Sequence, residues 1–162
     1  MIRLVKYALE ATFFHPEIDI MVDWLNDPEN VRYSEQRHKH HRYETQFAYF
    51  SNGPDIFRKI YTDEQFIGTI AAYTDRNNSV AYVGILIGKA WWGKGYGYEA
   101  WSTFCDHLLD HGIRKIEAGA MANNFGMVKI FRKYDMTCEG VRYQHFLNGS
   151  ELIDMVQYGK TK

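Results

Sequence analysis

The sequence predicts an α/β fold of the α+β kind, with a central, mixed and mostly antiparallel sheet of about seven strands flanked by four helices. Three observations carry this reading. Segments of period-two hydrophobicity alternate with segments of helical period in the order β-α-α-β-β-β-α-β-α-β-β. The three middle strands follow one another through short turns, which makes them neighbours in an antiparallel meander. The last two strands flank Asn148-Gly149, the strongest short hairpin signal in the chain.

Local patterning justifies each element in turn. Residues 2–7 read as a short strand. Between Ile18 and Asp27, Ile20 or Met21 recurs with Trp24 and Leu25 at helical spacing, and Asn26-Asp27-Pro28 breaks the helix. A second helix covers Tyr43 to Phe50 and ends before Asn52-Gly53-Pro54. Ile56–Tyr61 and Phe66–Ala71 pair across Thr62-Asp63-Glu64, and Asp75-Arg76-Asn77-Asn78 leads into Val80–Ile87. A helix over about 96–111 places Ala100, Trp101, Phe104, Leu108 and Leu109 on one face and closes at His111-Gly112. Lys115–Met121 is a strand and Met127–Tyr134 a helix. Glu139–Phe146 and Glu151–Gln157 form the closing pair.

Composition excludes several function classes. The 162 residues, 46% hydrophobic and 24% charged, suit one domain spanning 1–162, without repeat, low-complexity tract or linker. Nineteen basic against 20 acidic residues argue against a non-specific nucleic-acid binder, which carries a basic excess. Charges interrupt every apolar run before the ~18–20 residues of a membrane span. The N-terminus lacks the apolar stretch of a signal peptide, and Cys105 and Cys138 are too few and too distant for a disulfide framework. A reducing, cytoplasmic compartment is the expectation. Monomer and homodimer both remain open. Twelve Tyr, 10 Phe and 4 Trp are many for this length, and several bracket one glycine-rich segment.

That segment is Gly88-Lys89-Ala90-Trp91-Trp92-Gly93-Lys94-Gly95-Tyr96-Gly97-Tyr98-Glu99-Ala100, between the third meander strand and the long helix. Glycines at 93, 95 and 97 permit positive φ and close approach of the backbone to a ligand. The helix that follows offers unpaired N–H groups and the positive end of its dipole. Together these make a phosphate cradle; a turn that merely passes strand to helix is the alternative. The spacing is neither G-x-G-x-x-G nor a Walker A loop.

Ile87 through Ala100 resembles the pyrophosphate-binding motif of the GNAT N-acetyltransferase superfamily, which binds acetyl-coenzyme A (acetyl-CoA). The Trp-Gly-x-Gly-Tyr form is similar to its ribosomal-protein-acetyltransferase-like branch, with Trp92 where many members have Gln or Arg. A second stretch follows the family spacing Asn-x-x-Ser-x-x-x-aromatic-x-Lys-x-Gly-Phe. Asn124, Phe131 and Lys133 match it, while Met127, Asp135 and Met136 depart from it. Glu139-Gly140-Val141-Arg142 and the closing hairpin match the family's C-terminus, so the resemblance covers residues 1–160.

The resemblance implies specific roles. Backbone groups of Ile85, Leu86 and Ile87 would bind the pantetheine arm and polarise the acetyl carbonyl. Gly93, Lys94, Gly95, Tyr96, Gly97 and Tyr98 would hold the pyrophosphate, with Asn124 and Phe131 beside the cofactor. No metal is implied. Family members usually carry Tyr at the place of Phe131 as the acid that protonates the departing thiolate. Here Tyr134, one helical turn onward, is the candidate acid, against the alternative of a Tyr packed beside the cofactor or in the core. Tyr143 and Tyr158 are further hydroxyls. The place of the family's base, two before Gly84, is Tyr82, so no base is assigned; Glu35, His38 or His40 could approach from the N-terminal helices.

The polar run Glu35-Gln36-Arg37-His38-Lys39-His40-His41-Arg42 reads as a solvated loop between two helices, too compressed to converge on a metal. In the superfamily this loop borders the acceptor pocket. The resemblance therefore implies that Glu35, Arg37 and His38 bind the acceptor, with Arg37 gripping an anionic group. Trp24–Glu29 and Tyr33–Arg37 are similar to acetyltransferases of surface-polysaccharide sugars. The expected activity is N-acetylation of a small-molecule primary amine, a nucleotide-linked amino sugar. The alternatives are a protein N-terminus, another small amine, or a degenerate acyl-CoA-binding protein. His107 and His111, at i and i+4, lack the further ligands of a metal site and read as a pair at a helix C-terminus.

Overall fold

The computed structural model describes residues 1–6 and 15–162; residue 7 of the expected first strand lies outside the described residues. Seven strands form one sheet: β1 (Ile2–Lys6), β2 (Ile56–Thr62), β3 (Gln65–Asp75), β4 (Val80–Ile87), β5 (Lys115–Met121), β6 (Thr137–Asn148) and β7 (Glu151–Thr161). Their order across the sheet is β1-β2-β3-β4-β5-β7-β6. Every neighbouring pair is antiparallel except β4 and β5, which run parallel. The helices are α1 (Pro16–Asn26), α2 (Tyr43–Asn52), α3 (Tyr96–Asp110) and α4 (Phe125–Lys133). The expected class, strand count and helix count are all present.

Alternation along the strands sends side chains to two cores, one on each face. Ile60, Ile70, Val83, Ile116 and Ala118 pack with Trp101, Phe104 and Leu108 of α3 and Phe131 of α4. On the opposite face Phe57, Phe66 and Ala71 pack with Ile18, Met21 and Leu25 of α1 and Phe50 of α2. Each buried Ile or Phe removes enough apolar surface to stabilise the fold by about 1.5–3 kcal/mol.

Several boundaries differ from the sequence reading. Pro16 opens α1 two residues before Ile18, since proline's missing N–H costs nothing in a first turn. The α4 helix starts at Phe125, because the Asn124 side-chain oxygen caps it by accepting the Met127 N–H at 3.2 Å. It ends before Tyr134, where Asp135 takes a left-handed φ of 55° and the Met136 N–H bonds back to the Phe131 carbonyl at 3.0 Å. Asp135 thus fills the C-terminal place where the family pattern has Gly. One-turn 3₁₀ helices at Glu35–His38 and Lys89–Trp91 lie in segments read as loops.

Among the described residues, no helix is long and apolar enough to cross a membrane.

Candidate active site

The β4–β5 ladder has only three register pairs, Val80–Lys115, Ala81–Ile116 and Tyr82–Glu117. Beyond Tyr82 the two strands part. On its other edge β4 stays paired through Ile85, Leu86 and Ile87, opposite Ile70, Thr69 and Gly68 of β3. Backbone groups alternate between the two edges of a strand, and Leu86 faces β3, so Ile85 and Ile87 turn theirs to an open wedge in the sheet, without a strand partner among the described residues. Unpaired strand N–H and C=O groups are a template for an extended ligand segment.

The glycine segment sits at the top of this wedge. Gly93 and Gly95 have φ of 74° and 89°, and a Cβ on either would meet nothing within 4 Å, so the loop is open to a ligand. Gly95 is the N-cap of α3 and brings no side-chain cap, so the first-turn amides keep their donors. An anionic diphosphate fits this cradle: outward N–H groups, a helix N-terminus, and Lys94, which lies over the Trp91 ring at 4.9 Å. Gly97 plays a different part from the one expected. Its φ is not positive; it lies within α3, and Ile130 of α4 is 3.2 Å from where its Cβ would be. Gly97 lets two helices approach. Tyr96 meets Trp91 edge-on and Tyr98 lies under Lys133 Nζ at 3.9 Å, which ties the end of α4 to the start of α3.

Trp92 closes the loop back on the strand: its indole Nε1 donates to the Ile87 carbonyl at 2.7 Å. Lys89 latches the same loop to the segment after α1. Its amide donates to Asn30 Oδ1 at 2.7 Å, and its ammonium meets Asp27 at 2.7 Å and Glu29 at 2.9 Å.

The three residues expected at the acceptor come together, but not as free binding groups. Arg37 Nη1 donates to Glu35 Oε1 at 2.7 Å and to the Ser34 carbonyl at 2.8 Å, and Nη2 donates to the Leu147 carbonyl at 2.9 Å. His38 faces the other Glu35 oxygen at 3.9 Å. Arg37 is thus a strut that fastens the segment between α1 and α2 to the β6–β7 hairpin. Beside it opens a cavity of about 410 Å³, lined by Leu25, Val31, Arg32, Arg37, His38, Lys39, His40 and Gly149. None of its described lining residues carries a carboxylate. Its Arg32 lies 5.7 Å over the ring of Trp92, which is bonded to the end of β4.

Packing and hydrogen bonding bear on two expectations. Phe131 is 1% exposed and enclosed by Trp101 and Tyr158, ring centroids 5.3 and 5.0 Å away, so it belongs to the core and presents no surface to a cofactor. The Tyr134 proton is already committed. Its hydroxyl donates to Asp106 Oδ1 at 2.6 Å, and burial together with that carboxylate raises its pKa well above the ordinary tyrosine range. This bond ties the end of α4 to α3. Asn124 spends its side-chain oxygen on the α4 cap, at the mouth of the wedge. The His107 and His111 rings lie 4.0 Å apart, and burial and mutual repulsion lower the His107 pKa. Among the described residues, no group of three or more His, Cys, Asp or Glu side chains could hold a metal ion.

Comparison with known proteins agrees with this geometry. The family model of the acetyltransferase (GNAT) domain matches residues 14–137. Solved structures with the same fold include RimL, the ribosomal L7/L12 α-N-protein acetyltransferase in complex with coenzyme A. It is 13% identical over 99% of this chain and 93% of its own, with a TM-score of 0.82. The microcin C7 self-immunity acetyltransferase MccE, in complex with acetyl-CoA and AMP, is 16% identical over 99% and 92%, with a TM-score of 0.81. A spermidine N-acetyltransferase SpeG chimera from Vibrio cholerae and hSSAT is 15% identical over 99% and 95%, also at 0.81. A split sheet, an uncapped helix N-terminus above it and a family match across most of its length lead to one conclusion: the chain belongs to the GNAT acetyltransferase family.

Proposed function

We propose that this acetyltransferase moves the acetyl group of acetyl-CoA to the primary amine of a small anionic molecule, a nucleotide-linked amino sugar of surface-polysaccharide assembly. The observation that carries the reading is a cavity whose charged residues, among those described, are cationic or histidine, joined through Arg32 and Trp92 to the end of β4. Acetyl-CoA supplies an activated thioester carbonyl. The α3 N-terminus and the left-handed Gly93 and Gly95 hold its diphosphate, and Lys94 adds charge. Edge N–H groups of Ile85 and Ile87, on either side of Leu86, hold the extended arm and donate to the carbonyl oxygen, where negative charge grows as nitrogen attacks. The coenzyme thiolate is a tolerable leaving group, so Phe131 in place of a tyrosine acid does not forbid turnover.

The cavity's charge favours the acceptor class. Arg32 and Lys39 suit phosphate oxygens, and among the described residues no carboxylate lines the cavity to receive a polyamine. A nucleotide-bearing acceptor is in keeping with the MccE structure of the same fold, a complex with acetyl-CoA and AMP. A thiol-release assay with acetyl-CoA against UDP-amino sugars, aminoglycosides, spermidine and N-terminal peptides tests the reading. The expected result is turnover of a UDP-amino sugar with a KM that rises with salt. Preference for spermidine or peptides overturns the acceptor class. Tight acetyl-CoA binding without turnover of any amine overturns the enzyme in favour of an acyl-CoA-binding protein.

A further inference from the structure

Tyr82 occupies the last register pair before β4 and β5 part, opposite Glu117. Its neighbours Ala81 and Val83 are buried against α3 and α4, so the Tyr82 side chain points to the other face of the sheet, the one that α1 and α2 cover elsewhere. That face is bare here, and Tyr82 keeps 40% of its surface. Its ring crosses from β4 to β5. A Cβ on Gly119 would lie 3.0 Å from the Tyr82 hydroxyl and would collide with the Met155 methyl group. The β4–β5 ladder ends at Tyr82 and Glu117, so Gly119 has no β4 register partner, and the phenol lies beside its backbone instead. The hydroxyl offers a lone pair and its proton on the solvent side.

We infer that Tyr82 holds the attacking nitrogen: its hydroxyl oxygen accepts a hydrogen bond from the acceptor amine at the foot of the wedge and turns the nitrogen lone pair towards the acyl carbon beside β4. This rests on the acetyltransferase reading of the wedge. In the step, the neutral amine forms an N–C bond and the C–S bond breaks with its electron pair on sulfur. The nitrogen's surplus proton leaves to solvent, and sulfur takes one to become the thiol. Tyr82 gains and loses no proton overall. Burial raises its pKa from 10.0 and Glu117 adds to this, against the Gly119 amide and Arg142, so the phenol stays protonated at neutral pH. It therefore orients the amine without serving as its base. No side chain on the α3/α4 face could do the same, because the acceptor arrives from the other one.

The test is Tyr82→Phe in the full chain, assayed with acetyl-CoA and two nucleophiles, the best amine found and hydroxylamine. Hydroxylamine is small enough to reach the wedge whatever the natural acceptor is. With both, kcat is expected to fall roughly tenfold to a hundredfold, the worth of one hydrogen bond to a reacting group. The acetyl-CoA Kd and the Tm should hold, and the pH–rate profile should drop without a shift of its limbs, as orientation requires and loss of a base does not. Gly119→Ala, whose Cβ displaces the hydroxyl, should reproduce the loss and add little on top of Tyr82→Phe. The inference is overturned by hydroxylamine rates equal within about twofold in wild type and variant, by no wild-type acceleration of hydroxylaminolysis, or by parallel loss of acetyl-CoA binding. If UDP-amino sugars fail as substrates while the hydroxylamine difference stands, the acceptor reading falls and this one survives.

Discussion

The Tyr134 hydroxyl donates to Asp106 Oδ1 at 2.6 Å, tying the end of α4 to the third turn of α3. A hydrogen bond to a carboxylate contributes about 1–2 kcal/mol here, because the exposed Asp106 regains water when its partner is lost. Tyr134→Phe is therefore expected to lower the Tm by about 2–8 °C and leave kcat unchanged within about twofold. Calorimetry alongside steady-state kinetics checks both halves. A large loss of kcat without loss of stability would mark Tyr134 as the acid.

Gly95 combines a φ of 89° with open space around its absent side chain. Gly95→Val costs about 1–2 kcal/mol of backbone strain and sets two methyl groups where a diphosphate must approach. The expected result is an acetyl-CoA Kd raised at least about tenfold. Isothermal titration with the folded variant measures it.

Gly88 lies against the indole of Trp24, 2.5 Å from where a Cβ would be. Gly88→Ala must push α1 away from the loop that Lys89 latches to Asp27 and Glu29. Overpacking of this kind costs about 1–3 kcal/mol. Because α1 borders the acceptor cavity and the loop borders the cofactor cradle, both KM values are expected to rise together. A rise in one alone would separate the two walls.

Arg37 reaches three acceptors at once with its planar fork, one of them the Leu147 carbonyl in the hairpin 110 residues away. A lysine ammonium cannot span them in that geometry. Arg37→Lys and Arg37→Ala are both expected to loosen the hairpin tip and raise the acceptor KM. Faster amide exchange across 146–152 in either variant, with exchange in α3 unchanged, is the diagnostic measurement.

Glu17 sits under Tyr61 and Lys59, and both donate to its Oε1, the ammonium at 3.0 Å. Burial alone would raise its pKa, but Tyr61, its own helix amide and Lys59 outweigh burial and hold it below 4.5. A carboxylate depressed in the folded state binds fewer protons there than in the unfolded chain. Its contribution is complete above 4.5 and fades as pH falls through the folded value. The Tm gap between wild type and Glu17→Gln should narrow on going from about pH 6 to about pH 3.

The sequence was most legible where local chemistry decides structure. Positive φ at Gly93 and Gly95, the Asn148-Gly149 turn and the period-two meander all follow from neighbours in the chain. Gly97 misled because glycine serves close helix contact as well as positive φ, and its partner Ile130 lies in another helix. The spacing of Asn124 to Met127 is that of a helix cap as well as that of the family's cofactor motif. Tyr134, Phe131 and Arg37 could not be resolved at all, since their partners Asp106, Tyr158 and Leu147 are set by tertiary packing. The Trp92 bond to the Ile87 carbonyl explains how a tryptophan occupies a motif position often held by a polar residue: its N–H stitches the loop to the strand.

The sheet is seamed unevenly. Eight register pairs join β3 to β4 and seven join β5 to β7, while three join β4 to β5. The molecule is in effect two stiff plates welded along one short edge, and thermal fluctuation should concentrate in their relative rocking. Acetyl-CoA lying along β4 would act as a brace across that seam. Donor binding should then slow amide exchange on β5 and β7 as well as on the strand it touches, and set the width of the gap through which the amine must pass.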